Sequence, residues 1–238
     1  MEEASAQRVA ESGFFQGVKT EDIFKLAEEM ISTGELHLRK GWLDLFEMFL
    51  PSSSPPAGSK ISILSVNWSE AWIRGSLLQA AKTASPRGQA ELLEFIQNME
   101  ISSNRIEGLD LPQGSNGRMT GGVHGPIRTS ADKLLYLPPS RSTTDGKRTD
   151  PATSEDSPLV VYVGDSSTDF DCLRCADVGI WIADVPETQY QAKFAEVFRP
   201  LKYVPPSLET IDENALCAWA PDLQEIAEVV GHRKISDL

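Results

Sequence analysis

The sequence predicts an α/β fold built on a doubly wound, parallel, Rossmann-like sheet, and two observations carry that prediction. The first is a set of short apolar runs rich in β-branched residues, ISILSV (61–66), LVVYVGD (159–165) and VGIWI (178–182), which is how strands covered on both faces read. The second is that stretches of helical period separate these runs, and strands alternating with helices imply parallel crossovers.

Taken in order, Thr20 reads as a helix N-cap followed by Glu21 and Asp22, with Ile23, Leu26, Ala27, Met30 and Ile31 recurring at helical spacing. A second amphipathic stretch carries Trp42, Leu45, Phe46, Phe49 and Leu50 and stops at Pro51. SSSPPAGS (52–59) is linker-like, so residues 1–58 read as a helical segment and 59–238 as the core. In the core, ISILSV leads to helical stretches around Trp72–Leu78 and Leu92–Ile96, and then to a further strand within ISSNRIEG (101–108). Residues 109–125 are Gly-rich and read as a loop or an irregular hairpin. A helix is expected from Ser130, and others around 187–197 and 221–230. The stretch 138–157 has almost no large apolar groups and is expected to be a disordered insertion.

Composition narrows the partners. A net charge of −13 repels phosphate backbones and anionic lipid, which argues against nucleic acid and membrane. No apolar run approaches the roughly 20 residues of a bilayer span. Three cysteines in a chain of this length do not form a disulfide framework, so a reducing, cytoplasmic setting is the expectation. Any anionic substrate would need a local cation.

The chemistry concentrates in GDSSTD (164–169). A buried strand delivers Gly164 and Asp165 to its carboxyl end, where open α/β sheets bind ligands, and Asp169 opens the next helix. Two carboxylates so placed suit Mg²⁺. They equally suit a tight turn and a helix cap, and spacing alone leaves both readings open. CxxC at Cys172 and Cys175 falls within a helix rather than at its start, which favours packing over redox chemistry. Arg74 and Arg128 could reach a phosphate, although surface arginine is the commoner outcome.

GDSSTD followed by ADVGI resembles the fourth motif of the haloacid dehalogenase-like (HAD) hydrolases. ILSVNWS (63–69) resembles their second motif, which makes Ser65 the phosphoryl donor, and DKLL (132–135) the third, which makes Lys133 the catalytic lysine. SVNWSEAWIRGSL, SNRIEG, GDSSTDFDCLRCADVGIWI and LCAWAPDLQEIAEVVG are similar to the phosphatase half of plant bifunctional thiamin-phosphate phosphatases and to related fungal proteins. The resemblance implies a helical cap over residues 1–50 and a small phosphorylated metabolite as substrate. It further implies Ser65 and Lys133 at that substrate, with Mg²⁺ on Asp165 and Asp169; Trp68, next to Asn67, reads either as packing near the site or as stacking on a substrate ring.

One part of the pattern is absent. The family's first motif, DxDxT, supplies the attacking carboxylate, and nothing in residues 1–60 fits it: Asp22 and Asp44 both sit in helical patterns. Without that group the covalent step of phosphoryl transfer has no nucleophile. The same stretch forms the family's central strand, whose loss would leave buried backbone groups unpaired at about 1–3 kcal/mol each. Either the neighbouring strands close up, residues 1–15 substitute, or a longer reading frame carries the strand upstream; the last is the expectation. The alternatives to a Mg²⁺-dependent phosphomonoesterase are a noncatalytic HAD-like protein that binds a ligand or a partner, and a truncated product without activity.

Overall fold

A computed structural model describes residues 7–9, 11–84, 89–138, 143–144, 147–148, 159–198, 201, 203–211 and 215–232. The chain is mixed α/β, with its parallel strands in two separate ladders. Two compact units divide it, one of residues 1–38 and 46–132, the other of 39–45 and 133–238.

In the first unit, α1 (Thr20–Thr33) begins where predicted, with the backbone N–H of Lys19, rather than Thr20, at the capping position. That N–H donates to Asp22 Oδ2 at 2.9 Å, so the first-turn acid caps the helix. Ile23 and Ala27 are buried while Leu26 is exposed, a narrower apolar stripe than the sequence suggested. After α2 (Trp42–Glu47), β1 (Ser62–Leu64) runs through α3 (Glu70–Ala84) and α4 (Gln89–Asn98) to β2 (Glu100–Ser102). The two strands pair in parallel, Ile63 opposite Ile101, as a crossover connection requires.

Helix α3 packs on α1 at Gly75, where a Cβ would lie 2.6 Å from the Phe24 ring, so only glycine permits that approach. Arg74 does not serve a phosphate in this unit. Its guanidinium donates to the carbonyls of Ile96, Gln97 and Met99 and pairs with Glu70, capping the end of α4. The Gly-rich stretch forms an irregular hairpin in which β3 (Arg105–Ile106) pairs antiparallel with β4 (Met119–Thr120). Gln16 joins it through an isolated bridge to Asn116, and the described residues before Thr20 add no strand to a parallel ladder.

The second unit centres on a parallel sheet of order β7-β8-β9, comprising Val161–Gly164, Val178–Ile182 and Ala218–Ala220. Strand β8 lies between the other two and all five of its residues are buried, which explains its unbroken apolar run. Helix α6 (Phe170–Cys175) connects β7 to β8. Gly179 lets β8 pass beneath it, since a Cβ there would lie 2.0 Å from the Leu173 carbonyl oxygen. Trp181 packs edge-on against Phe194 of α7 (Tyr190–Val197), and Tyr190 stacks on Trp219 with centroids 4.3 Å apart. Helix α8 (Leu223–His232) closes the described chain. Cys172 and Cys217 are buried and outside any disulfide, Cys172 fully so. Burial pushes the Cys172 thiol up to about 12, as packing rather than reactivity would have it.

Most of 138–157 lies outside the described residues. The four described among 139–157 pair as β5 (Thr143–Thr144) with β6 (Lys147–Arg148). No described helix is long and apolar enough to cross a membrane.

Candidate active site at the carboxyl edge of the three-stranded sheet

Strand β7 ends at Gly164, and the next five residues, through Asp169, build the site. A Cβ on Gly164 would lie 2.4 Å from Cβ of Asp169, so the glycine exists to let Asp169 fold back against the strand. Ser166 closes this turn as a capping box. Its backbone N–H and hydroxyl donate to Asp169 Oδ2 at 3.0 and 2.7 Å, and Asp169 N–H returns a bond to the Ser166 carbonyl. The Asp165 N–H also donates to Oδ2, at 3.2 Å.

The other oxygen of Asp169 takes two strong donors. Lys133 Nζ and the Tyr162 hydroxyl each lie 2.6 Å from Oδ1. Lys133 and Asp169 are 5% and 3% exposed, so this is a buried ion pair. Such a pair survives only when its remaining hydrogen-bonding capacity is met, and five donors meet it here. Burial works to raise the Asp169 carboxyl. The Lys133 ammonium and the Tyr162 and Ser166 hydroxyls outweigh it and hold the group below the ordinary carboxylate range. Burial, and then the negative charge of Asp169, pushes the Tyr162 phenol well above its usual value.

Lys133 owes its position to a short helix, α5 (Ser130–Leu134). Asp132 accepts the N–H groups of Arg128 and Thr129, both at 2.9 Å, and donates its own N–H to the Thr129 hydroxyl, which pins the start of the turn. Desolvation raises the Asp132 carboxyl, but these backbone donors prevail and lower it.

Asp165 has a different environment. It is exposed on the rim, where its Oδ2 accepts Arg39 Nη2 at 2.7 Å. The other arm of that guanidinium reaches Asp184 Oδ2 at 2.5 Å. Asp184 follows β8 by two residues, and Gly164 is in register with Trp181, so both carboxylates stand at adjacent strand ends. Trp181 Nε1 donates to the Asp165 carbonyl at 3.3 Å and ties the two ends together. Asp177 accepts the Val160 N–H at 2.8 Å, which gives the aspartate of ADVGI a structural role beside β7.

Ser65, Asn67 and Trp68 belong to the first unit. Ser65 follows β1, takes the Ser102 carbonyl with its N–H, and accepts the Asn67 N–H on its hydroxyl at 3.1 Å. Asn67 Oδ1 accepts the Ser69 N–H at 3.0 Å, and Trp68 meets Phe15 edge-on. Asn104, buried, donates to the carbonyls of Val66, Asn67 and Ile127 and fixes this loop. The six predicted residues thus form two local groups, Ser65–Asn67–Trp68 and Lys133–Asp165–Asp169.

Tyr162, Ser166, Asp184 and Arg39 were not anticipated. Ser166 carried a signal, since Ser-x-x-Asp is a capping-box pattern, and so did Asp184, just past the carboxyl end of a strand. Arg39, remote in sequence and within an apparently helical region, carried none.

Against known proteins, the chain is 26% identical over 221 residues to the mitochondrial bifunctional TH2 protein of Arabidopsis thaliana, matching 92% of this chain and 30% of that protein. It is 26% identical over 181 residues to a CTO1 family protein of Schizosaccharomyces pombe, matching 76% of this chain and 57% of that one. The chain therefore spans about a third and just over half of these relatives. No protein-family profile matches it, and neither does any solved structure.

Proposed function

We propose that this chain carries the phosphate- and metal-handling part of a HAD-type phosphatase acting on a small organic phosphate monoester of the thiamin monophosphate kind. The reading rests on one observation: Asp169 takes a buried lysine on one carboxylate oxygen and, on the other, the N–H of exposed Asp165 at the carboxyl end of a parallel strand. Distant similarity to a plant bifunctional protein supports the same direction.

The residues fit a divalent cation in a limited way. Asp165 offers an exposed carboxylate, whereas both oxygens of Asp169 already accept protein donors. Among the described residues no group of three or more His, Cys, Asp or Glu gathers around one point. Mg²⁺ commonly takes one or two carboxylates and completes its shell with water and substrate oxygens, and Asp165 would supply one of them. When bound, the cation would neutralise developing charge on the phosphoryl group. In this reading Asp165 is the directly available member of the metal pair, and Asp169 anchors the turn and holds the Lys133 ammonium in place. Lys133 then stabilises phosphoryl oxygens electrostatically. Ser65, Asn67 and Trp68, in the first unit, stay as candidates for substrate contact on the strength of the sequence reading alone.

The test is Mg²⁺-dependent phosphate release from p-nitrophenyl phosphate and thiamin monophosphate. It is run on this chain and on a version preceded by a DxDxT strand. Turnover that appears with the added strand and vanishes in Asp165→Asn supports the proposal; none in either form refutes it. A noncatalytic binding role is favoured by the lack of DxDxT in residues 1–60 and predicts ligand binding without turnover. A cytoplasmic location belongs to the same proposal.

A further inference from the structure

Asn104 has no part in the proposed reaction, yet its side chain joins two segments that do. It follows β2 by two residues and is 3% exposed. Nδ2 donates to the carbonyls of Val66 and Asn67, both at 3.2 Å, and to that of Ile127 at 2.9 Å. Oδ1 accepts the Ile127 N–H, also at 2.9 Å. We infer that Asn104 is a positioning residue: one buried carboxamide holds the loop from Ser65 to Ser69 and the approach to the lysine-bearing helix in a single arrangement. Such a role rests on the proposed phosphate chemistry and adds to it a residue that it did not include.

The contact with Ile127 has the form of a backbone ladder pair, because a single residue both gives and takes a bond. Ile127 is fully buried, so its N–H and carbonyl have no water to fall back on. From there the constraint runs along the chain into α5. Asp132 accepts the N–H groups of Arg128 and Thr129, and Lys133 is the next residue.

Toward the Ser65 loop, the backbone of Asn104 adds two bonds to those of the carboxamide. Its N–H donates to the Asn67 carbonyl and its carbonyl accepts the Glu70 N–H, both at 3.2 Å. Asn67 in turn donates its own N–H to Ser65 Oγ at 3.1 Å. That bond occupies one lone pair of the hydroxyl, and among the described residues the hydroxyl proton has no acceptor. A phosphoryl oxygen would take that proton. Truncating Asn104 frees both segments at once, whereas an asparagine that only packs would cost stability and leave the affinity of the folded protein unchanged.

Inorganic phosphate titrated into the full chain with Mg²⁺ present, followed by calorimetry, tests this through a double-mutant cycle. Ser65→Ala removes a hydrogen bond to a charged group and is expected to weaken binding about tenfold. Asn104→Ala is expected to cost about as much, in protein that circular dichroism shows to be folded. Adding Ser65→Ala to Asn104→Ala should then weaken binding by no more than about twofold, because the hydroxyl is already out of place. An unchanged Asn104→Ala, or losses that multiply, overturns the positioning role and leaves the phosphate reading standing. No binding by wild type overturns both. Should Asn104→Ala not fold, wild type decides alone: phosphate is expected to shift the nitrogen–proton signals of the Asn104 side-chain amide and the Ile127 N–H. Signals unmoved at saturating phosphate overturn the inference without any variant.

Discussion

The two aspartates of GDSSTD stand four residues apart and sit in opposite environments. Asp169 is buried, accepts five donors and shares its charge with a buried lysine. Asp165 is exposed and meets one arm of an arginine that also serves Asp184. In the interior, charge is tolerated only where every lone pair is met, so Asp169 is rigid and costly to disturb. At the rim water screens the same interaction, so Asp165 contributes little to stability and can change partners. One motif thereby supplies both a buried, fully bonded carboxylate and an exposed, weakly held one.

The largest effect that would break this contrast is expected at Lys133. Lys133→Met leaves the Asp169 charge buried without its partner and should destabilise the fold by about 3–5 kcal/mol in urea unfolding; a loss below about 1 kcal/mol would make the pair incidental. Tyr162→Phe removes a hydrogen bond to a charged group and should cost about 1.5–3 kcal/mol.

The pH dependence of that pair of proteins sharpens the point. Asp169 is held below the ordinary carboxylate range, so the unfolded chain binds its proton more readily. Its contribution to stability is complete above the ordinary value and is lost as pH falls through the lowered one. In Tyr162→Phe the carboxyl should titrate higher, and the acid loss should begin at higher pH, as carbon-detected NMR and acid melts can show.

Asp165→Asn should change stability by less than about 1 kcal/mol while abolishing Mn²⁺ binding. The smallest effect is expected outside the motif, at Glu225. Glu225 has a buried Oε1 with no hydrogen-bond partner among the described residues. Desolvation, and then Glu209 and other acids, raises its carboxyl. An acid raised by folding penalises the fold increasingly as pH climbs through the raised value, so Glu225→Gln should stabilise at pH 7, by about 0.5 kcal/mol after allowance for its partial exposure. A thermal melt decides it.

Several elements were legible because their causes are local. The VGIWI strand is bounded as its apolar run predicts, and helices α1, α3, α4, α7 and α8 lie where periodicity or capping residues put them. The reasons for Gly164 and Gly179, a carboxylate and a carbonyl lying against the strands, emerge only in three dimensions. Arg74 shows the reverse case: its charge hinted at phosphate, and packing turned it to helix carbonyls.

Sequence by itself determined the alternation of buried strands and helices and the strand-end location of Asp165. Those follow from periodicity and short-range spacing, which operate within a few residues. Tertiary structure alone decided that Asp169 faces inward to Lys133 and Tyr162, and that Arg39, 126 residues before Asp165, is its partner. Pairings of that range depend on where backbone from distant segments is docked, and no local pattern encodes it.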